Sequence, residues 1–389
     1  MSPEYAGGGP LAGVRVVELG AIGPAPYACM LLSDLGAIVT RVDRTEADLF
    51  SGAGDPRYDF LLRGRERIAL DVKSDAGRAI LLELVTDAEI FIEGLRPGVA
   101  ERLGIGPEEC FQRNSRLVYG RMTGWGQTGP LARTAGHDIN YIALSGALHA
   151  IGAVGGPPTV PLNLIGDFGG GAAFLVMGVL AALLESRKSG RGQVVDAAML
   201  DGATSLMSAV FAAFASGYWR DQRGRNLLDG GAPFYAVYET ADKKHIAVGA
   251  IEPKFFAQLL EKMGLDPSLA VWQFDASRWD EMRELFIQVF CTRSRDAWCQ
   301  HFGDIDACVS PVLSLAEVVE HEHVRARGVF ESVHGVAQPA PAPRFSRTPT
   351  RIARGGVSSG FDTRAILERL GYTSAEIEAL RASAIVGGE

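Results

Sequence analysis

The sequence predicts an α/β protein: a large domain on a doubly wound parallel sheet, joined to a smaller α+β domain. Three observations lead there. Short β-branched runs alternate with segments of helical spacing over the first 125 or so residues, which is the pattern of βαβ units packed into a parallel sheet. A helical, small-residue-rich stretch follows over about 135–215. From about 230 a hairpin pattern opens a run of helices, as in an α+β domain.

The elements follow in order. VRVVEL (14–19) reads as a strand, GAIGPAP as a turn, and PYACMLLSDLGA as a helix closed at Gly36, since glycine accepts the left-handed conformation a C-cap needs. IVTRVD (38–43) is the next strand and completes one βαβ unit. The pattern recurs with a helix over DAGRAILLELVTD, a strand EIFIE (89–93), a helix near GVAERLG and a strand RLVYGRM (116–122). FYAVYETADKKHIAVGAIE reads as a hairpin turning at Asp242-Lys243, and helices continue to roughly 320. AQPAPAPRFSRTP (337–349) reads as an extended connector, because proline presets φ and removes donors. Helical patterns in DTRAILERLG and SAEIEALRAS close the chain, and there is no internal repeat.

Composition narrows the function. Hydrophobic residues are 47% and charged residues 22% of 389, enough for a substantial core. The net charge of −8 argues against a nucleic-acid or anionic-membrane binder. The N-terminal MSPEYAGGGPLAG has no basic stretch followed by an apolar run, so no secretory signal is expected. The cysteines (Cys29, Cys110, Cys291, Cys299, Cys308) are scattered and odd in number, which suits reduced thiols and a cytoplasmic location rather than disulfides or zinc. FGGGAAFLVMGVLAALL (168–184) is uncharged and near the lower length limit of a membrane span. Its opening glycines, its alanines and its flanking Asp167 and Glu185 instead predict a buried, closely packed helix and no membrane insertion.

Chemistry-bearing motifs are few. The first βα turn, Gly20-Ala21-Ile22-Gly23-Pro24, is not G-x-G-x-x-G, and Pro24 lacks an N–H for a pyrophosphate. Nicotinamide binding is therefore not expected. Arg41, Arg44, Lys73, Arg96 and Arg102 recur at the ends of successive elements. In an open α/β sheet such ends converge on one crevice, where cations can hold a polyphosphate; singly, each also fits a solvated surface position. GHDIN (136–140) reads two ways. Asp138 caps a helix with His137 packed locally, or Gly136 admits a substrate to an imidazole beside helix-start amides. Asp167 in GDFGGG (166–171) is an N-cap, or a carboxylate with room for a ligand over the glycines behind it. Glu252 in AIEPKFF ends a strand before Pro253 and either complements a helix dipole or serves the site. Together they offer one imidazole and two carboxylates, the material of proton transfer. His149, His245, His301, His321, His323 and His334 lack supporting patterns, and G-x-S-x-G, Walker A and H-E-x-x-H are absent.

Across these clusters the chain resembles the α-methylacyl-CoA racemases of the family III CoA-transferase superfamily. RVDR (41–44), LDVK (70–73), EGLRPGV (93–99), GWGQTGP (124–130), AGHDINYIALSG (135–146), PLNLIGDFGGG (161–171), GRGQVVDAAMLDG (190–202), LLDGGAPFYAVY (227–238) and VGAIEP (248–253) carry the resemblance. It runs from LAGVRVVELG to ERLGYTSAEIEAL. It implies a 1,1-proton transfer next to the thioester carbonyl, with His137 and Asp167 as the two bases, Glu252 orienting His137, and His137 serving the S face. It further implies that Gly136, Asp138, Ile139, Asn140 and Tyr141 line the thioester end, the Asp138 amide facing the enolate oxygen. Arg44, Leu70, Asp71, Val72, Lys73, Gly94, Leu95, Arg96 and Arg102 would hold the nucleotide and pantetheine parts. Coenzyme A would be part of the substrate, with no separate cofactor and no metal. The resemblance also implies an interlocked homodimer. The implied domains are a large CoA-binding, Rossmann-like domain over 1–200 and 326–389, linker helices over 201–228, and a small domain over 229–325.

Two other functions compete. A family III CoA-transferase would use Asp167 as a nucleophile on the thioester, but it has no evident need for an imidazole on the opposite face, and it often carries a glycine-rich loop where this chain has GAIEP. A non-catalytic CoA-binding protein would not need all three acid–base residues.

Overall fold

A computed structural model of the protein describes residues 8–46 and 54–388; residues 1–7 of the N-terminal stretch read above for a signal lie outside them. Twelve strands are present among the described residues. They are β1 (Arg15–Leu19), β2 (Ile38–Asp43), β3 (Arg65–Leu70), β4 (Ile90–Glu93), β5 (Val118–Thr123), β6 (Gln193–Ala198), β7 (Tyr235–Glu239), β8 (His245–Gly249), β9 (Val309–Pro311), β10 (Phe330–Val333), β11 (Val336–Pro339) and β12 (Val386–Gly387). The chain forms two compact units. One contains the chain up to Ser145, Leu162–Leu206 and the chain from Ala326 onward; the other contains Gly146–Pro161 and Met207–Arg325.

The first unit holds a seven-stranded sheet in the order β12-β3-β2-β1-β4-β5-β6. Every pairing is parallel except that of the terminal β12 with β3. The chain winds outward from β1 to β3, returns, and continues from β4 on the other side, so the expected doubly wound sheet is present and reverses direction between β1 and β4. Side chains alternate across it. Val16, Ile90, Ile92, Val118 and Met122 pack on one face with Ala28, Leu32, Leu175 and Val179. Val17, Leu19, Phe91, Leu117 and Tyr119 pack on the other with Ile80, Leu81, Val85, Ile366 and Ile377. Both faces are covered by helices, which is why these strands read as near-continuous apolar runs.

β3 and β6 fall outside the strands expected from sequence, β6 within the stretch read as helical. RERIAL opens on three charged residues, yet Arg65 and Arg67 are buried. They face the same side as Glu18, Arg41 and Asp43. Glu18 accepts from Arg41 and, at 3.0 Å, from Arg65; Asp43 accepts from Arg41 and from Arg67, each at 2.7 Å. Arg41 is therefore not a free phosphate ligand, as its place at a strand end had suggested, but part of a buried ionic row across β1, β2 and β3.

The connector over 337–349 also differs from expectation. Its first three residues belong to β11, which pairs antiparallel with β10. The hairpin is tied to the sheet by Arg63, whose guanidinium donates to Gln338 Oε1 at 3.1 Å and to the Pro339 carbonyl at 2.6 Å.

The second unit has a three-stranded antiparallel sheet, β7-β8-β9, with the helices Pro253–Met263, Trp279–Phe290 and Arg295–Phe302. This is the expected smaller α+β arrangement. The hairpin turns where the sequence indicates, with Lys243 at φ 62. Its core is aromatic: Tyr238 stacks on Phe290 at 5.1 Å between ring centroids, and Phe234 meets Phe256 edge-on at 5.6 Å.

In the first unit Leu164–Ser189 is continuously helical, and it is the one helix among the described residues long and apolar enough to cross a bilayer. It begins as a wide, π-type stretch, Leu164–Ala173, and continues as a regular helix, Phe174–Ser189. The wholly buried helix expected from sequence is buried along one side only. Leu175, Val179, Ala182 and Leu183 are covered, whereas Met177 and Leu184 are 60% and 71% exposed. The glycine triplet serves close helix packing. A methyl group on Gly202, in the helix Met199–Leu206, would stand 1.8 Å from the Gly170 carbonyl oxygen. Because that obstacle is backbone, Gly202→Ala is expected to lower stability by about 1–3 kcal/mol, read as a reduced urea midpoint. An unchanged midpoint would show that the two helices part at little cost.

Candidate active site

The C-terminal ends of β1 and β4 flank the point at which the sheet reverses, the usual ligand crevice of such a fold. The loops after them touch: a methyl on Gly94 would stand 3.1 Å from the Ala21 Cβ. Gly23, at φ 72, closes the loop after β1, and a methyl there would stand 3.3 Å from Asp167 Oδ2. Asp167 is thus brought beside the first βα turn, at the switch point.

His137 is exposed and stands at the N-cap of the helix Asp138–Leu144. Its backbone N–H donates to Asn140 Oδ1 at 3.0 Å. The expectation that Asp138 caps this helix is not met. Asp138 is the first helical residue, is buried, and turns its carboxylate away: Oδ2 accepts the Asp167 N–H at 2.7 Å. One hydrogen bond thereby ties GHDIN to GDFGGG. Gly136 gives its space to a protein side chain. A methyl there would stand 2.7 Å from the Tyr141 ring, which also packs edge-on against Trp125 at 4.7 Å and donates its hydroxyl to the Gly136 carbonyl.

Asp167 is not an N-cap either; it lies inside the π-type stretch, whose cap is Asn163. Asn163 Nδ2 donates to Asp167 Oδ2 at 3.0 Å. Burial pushes the Asp167 carboxyl above the ordinary aspartate range; the Asn163 hydrogen bond opposes this, the Asp138 charge adds to it, and His137 opposes it. Burial also raises the Tyr141 phenol, with the Asp167 charge adding and Arg96 opposing. His137, Asp138, Tyr141, Asn163, Asp167 and Arg96 are therefore within one electrostatic neighbourhood. Such a pairing of an accessible imidazole with a carboxyl biased toward its neutral form suits proton exchange on opposite sides of one carbon.

The residues expected to hold the nucleotide and pantetheine parts divide by exposure. Arg44, Lys73, Gly94, Arg96 and Arg102 are exposed; Asp71, Val72 and Leu95 are half-buried. Leu70 is in the core, so only its backbone reaches a ligand. Asp71 Oδ1 accepts the Lys73 N–H at 3.1 Å and so shapes that turn. Beneath Gly94–Arg96 lies Glu93, buried, accepting from the Leu95 N–H at 2.6 Å and from Arg121 at 3.0 Å. Burial pushes its carboxyl up to about 7 against both partners. Ile139 and Asn140 are exposed on the first turn of the helix begun by Asp138. Glu252 is exposed in the second unit, at the N-cap of Pro253–Met263.

Sequence reasoning missed Asn163, Gly23 and Glu93. Asn163 was within reach, since it precedes Asp167 by four residues in a helical segment. Gly23 meets Asp167, and Glu93 meets Arg121, only through contacts distant in sequence.

Comparison with known families matches residues 11–363 to CoA-transferase family III. The alpha-methylacyl-CoA racemase of Mus musculus is 43% identical over 378 residues, 97% of this chain and 97% of that protein. That of Homo sapiens is 41% identical over 380 residues, again 97% of each. Among solved structures, a CAIB/BAIF family protein from Brucella suis superposes with a TM-score of 0.81 at 24% identity, covering 93% of this chain and 100% of that one.

Proposed function

The chain belongs to CoA-transferase family III, and on that footing we propose that it is an isomerase interconverting (R)- and (S)-2-methylacyl-CoA thioesters through an enolate. The observation that carries this reading is the identity of more than 40% to two alpha-methylacyl-CoA racemases along 97% of this chain. An α-proton beside a thioester is far less acidic than any side chain, so a base alone does not remove it. The enolate oxygen needs preorganised donors.

His137 takes the proton from one face of the α-carbon and Asp167, protonated, supplies one to the other; the reverse reaction exchanges their roles. His137 serves the S face. The Asp138 N–H, which as a first-turn amide has no partner within its own helix, donates to the enolate oxygen. Gly136, Ile139, Asn140 and Tyr141 surround the thioester end. Arg44, Lys73, Arg96 and Arg102 hold the phosphates, with Leu70, Asp71, Val72, Gly94 and Leu95 along the pantetheine. Glu252 is the third acid–base residue of the proposed set. Coenzyme A enters as part of the substrate, and the chemistry calls for no further cofactor.

The assembly we infer is an interlocked homodimer, supported by the exposed apolar side chains of Leu164, Met177 and Leu184 along Leu164–Ser189. The packing of that helix's other side against the sheet supports a protein not inserted in membranes, and the free cysteines support a cytoplasmic location.

The test is to incubate one enantiomer of a 2-methylacyl-CoA with the enzyme and an added carboxylic acid. Epimerisation without a thioester of the added acid is expected. A new thioester with the α-centre untouched would make Asp167 a nucleophile and the protein a CoA-transferase.

A further inference from the structure

Asp138 is 6% exposed, and its carboxylate joins two segments 29 residues apart through the 2.7 Å bond to the Asp167 N–H. Gly166 makes the room: a methyl there would stand 2.5 Å from Asp138 Oδ2 and 2.9 Å from its Cγ. The other oxygen, Oδ1, is buried and has no hydrogen-bond partner among the described residues. A carboxylate withdrawn from water, with one oxygen unpaired, is poorly screened, so its charge acts strongly on its neighbours. The carboxyl-bearing residue it holds is Asp167.

We propose that the Asp138 carboxylate is a positioning residue for proton transfer, fixing the Asp167 peptide and, by its negative charge, keeping the Asp167 side chain in its proton-delivering form. This deepens the two-base reading and rests on it. The groups acting on Asp167 come from its own segment and from GHDIN. Asn163 and His137 favour its ionised form, while burial and Asp138 oppose ionisation. Tyr141, packed beside Gly136, feels the Asp167 charge in turn. Without Asp138, burial alone would stand against Asn163 and His137. The Asp138 backbone N–H and side chain thus act on different partners, the first on the enolate and the second on Asp167.

Asp138→Asn separates charge from geometry, because it keeps the shape and one acceptor oxygen for the Asp167 N–H. The measurement is the pH profile of kcat for each enantiomer of a 2-methylacyl-CoA. In the direction in which Asp167 delivers the proton, activity falls as pH rises through the ionisation of Asp167. With the neighbouring charge removed Asp167 ionises more readily, so that limb is expected to move down by about one pH unit, with about tenfold lower activity above it. KM and the melting temperature stay near those of the wild type. A folded variant whose limb does not move overturns the proposal.

If Asp138→Asn does not fold, the ¹³C carboxyl signal of Asp167 in the wild-type enzyme provides the second reading. Asp167 is expected to titrate above the ordinary aspartate range; titration within that range overturns the proposal. Failure of the underlying reading is distinct: a wild type that exchanges no α-proton removes the two-base reading and this proposal together. A wild type that exchanges, beside an Asp138→Asn variant with an unmoved profile, removes only the role of Asp138.

Discussion

Replacing His137 by alanine, or Asp167 by asparagine, is expected to slow epimerisation by about 10²–10⁴-fold while leaving affinity for the CoA moiety within a few-fold of the wild type. In the proposed mechanism the two residues act on opposite faces of one carbon, so losing either blocks net inversion in both directions. Asn at 167 keeps the size of the side chain and an oxygen for the Asn163 donor, which separates loss of proton transfer from loss of shape. The proposed phosphate-binding side chains are on other loops, at Arg44, Lys73, Arg96 and Arg102, so the effect belongs in kcat rather than KM. Residual exchange in His137→Ala should be confined to the enantiomer whose proton faces Asp167, without inversion. Steady-state kinetics from both enantiomers check this; wild-type epimerisation in either variant would remove that residue from the mechanism.

The largest effect on stability is expected from Glu18→Ala. Glu18 is fully buried on β1 and accepts from both Arg41 and Arg65. Alanine would leave two buried guanidiniums facing each other without their shared carboxylate, and breaking a buried pair in this way costs about 3–5 kcal/mol. The contrast is Arg187→Ala, which removes a 2.8 Å pair with Glu89 whose side chains are 50% and 36% exposed; such pairs contribute about 0–1 kcal/mol. Urea unfolding of the two variants side by side makes the comparison. Equal losses would mean that the buried row is as dispensable as a surface pair.

That row also explains where sequence reading stopped. β1, β2, β4 and β5 were legible because helices on both sheet faces demand apolar residues at nearly every position. β3 was not, since RERIAL opens on three charged residues and only the carboxylates of Glu18 and Asp43, on other strands, make its arginines internal. β6 was hidden by its exposed Gln193 and Val194 and by its place within a helical stretch. At the site, residue types and motifs pointed to His137 and Asp167; Glu252, which they also singled out, is exposed in the second unit. Gly136 and the glycines behind Asp167 were misassigned, because the space they leave is taken by the protein itself: Gly136 admits Tyr141 and Gly170 meets Gly202, while Gly166, not singled out, admits the Asp138 carboxylate. The Asp138 carboxylate looked like a helix cap until the Asp167 N–H was seen to occupy it.

The most direct measurement follows a single enantiomer of a 2-methylacyl-CoA in D₂O by ¹H NMR during the first few per cent of conversion. If His137 removes the α-proton and Asp167 delivers another from the opposite face, the newly formed epimer carries deuterium from its first appearance. An epimer that retains the original proton would mean that one base carries it across, contradicting the two-base account.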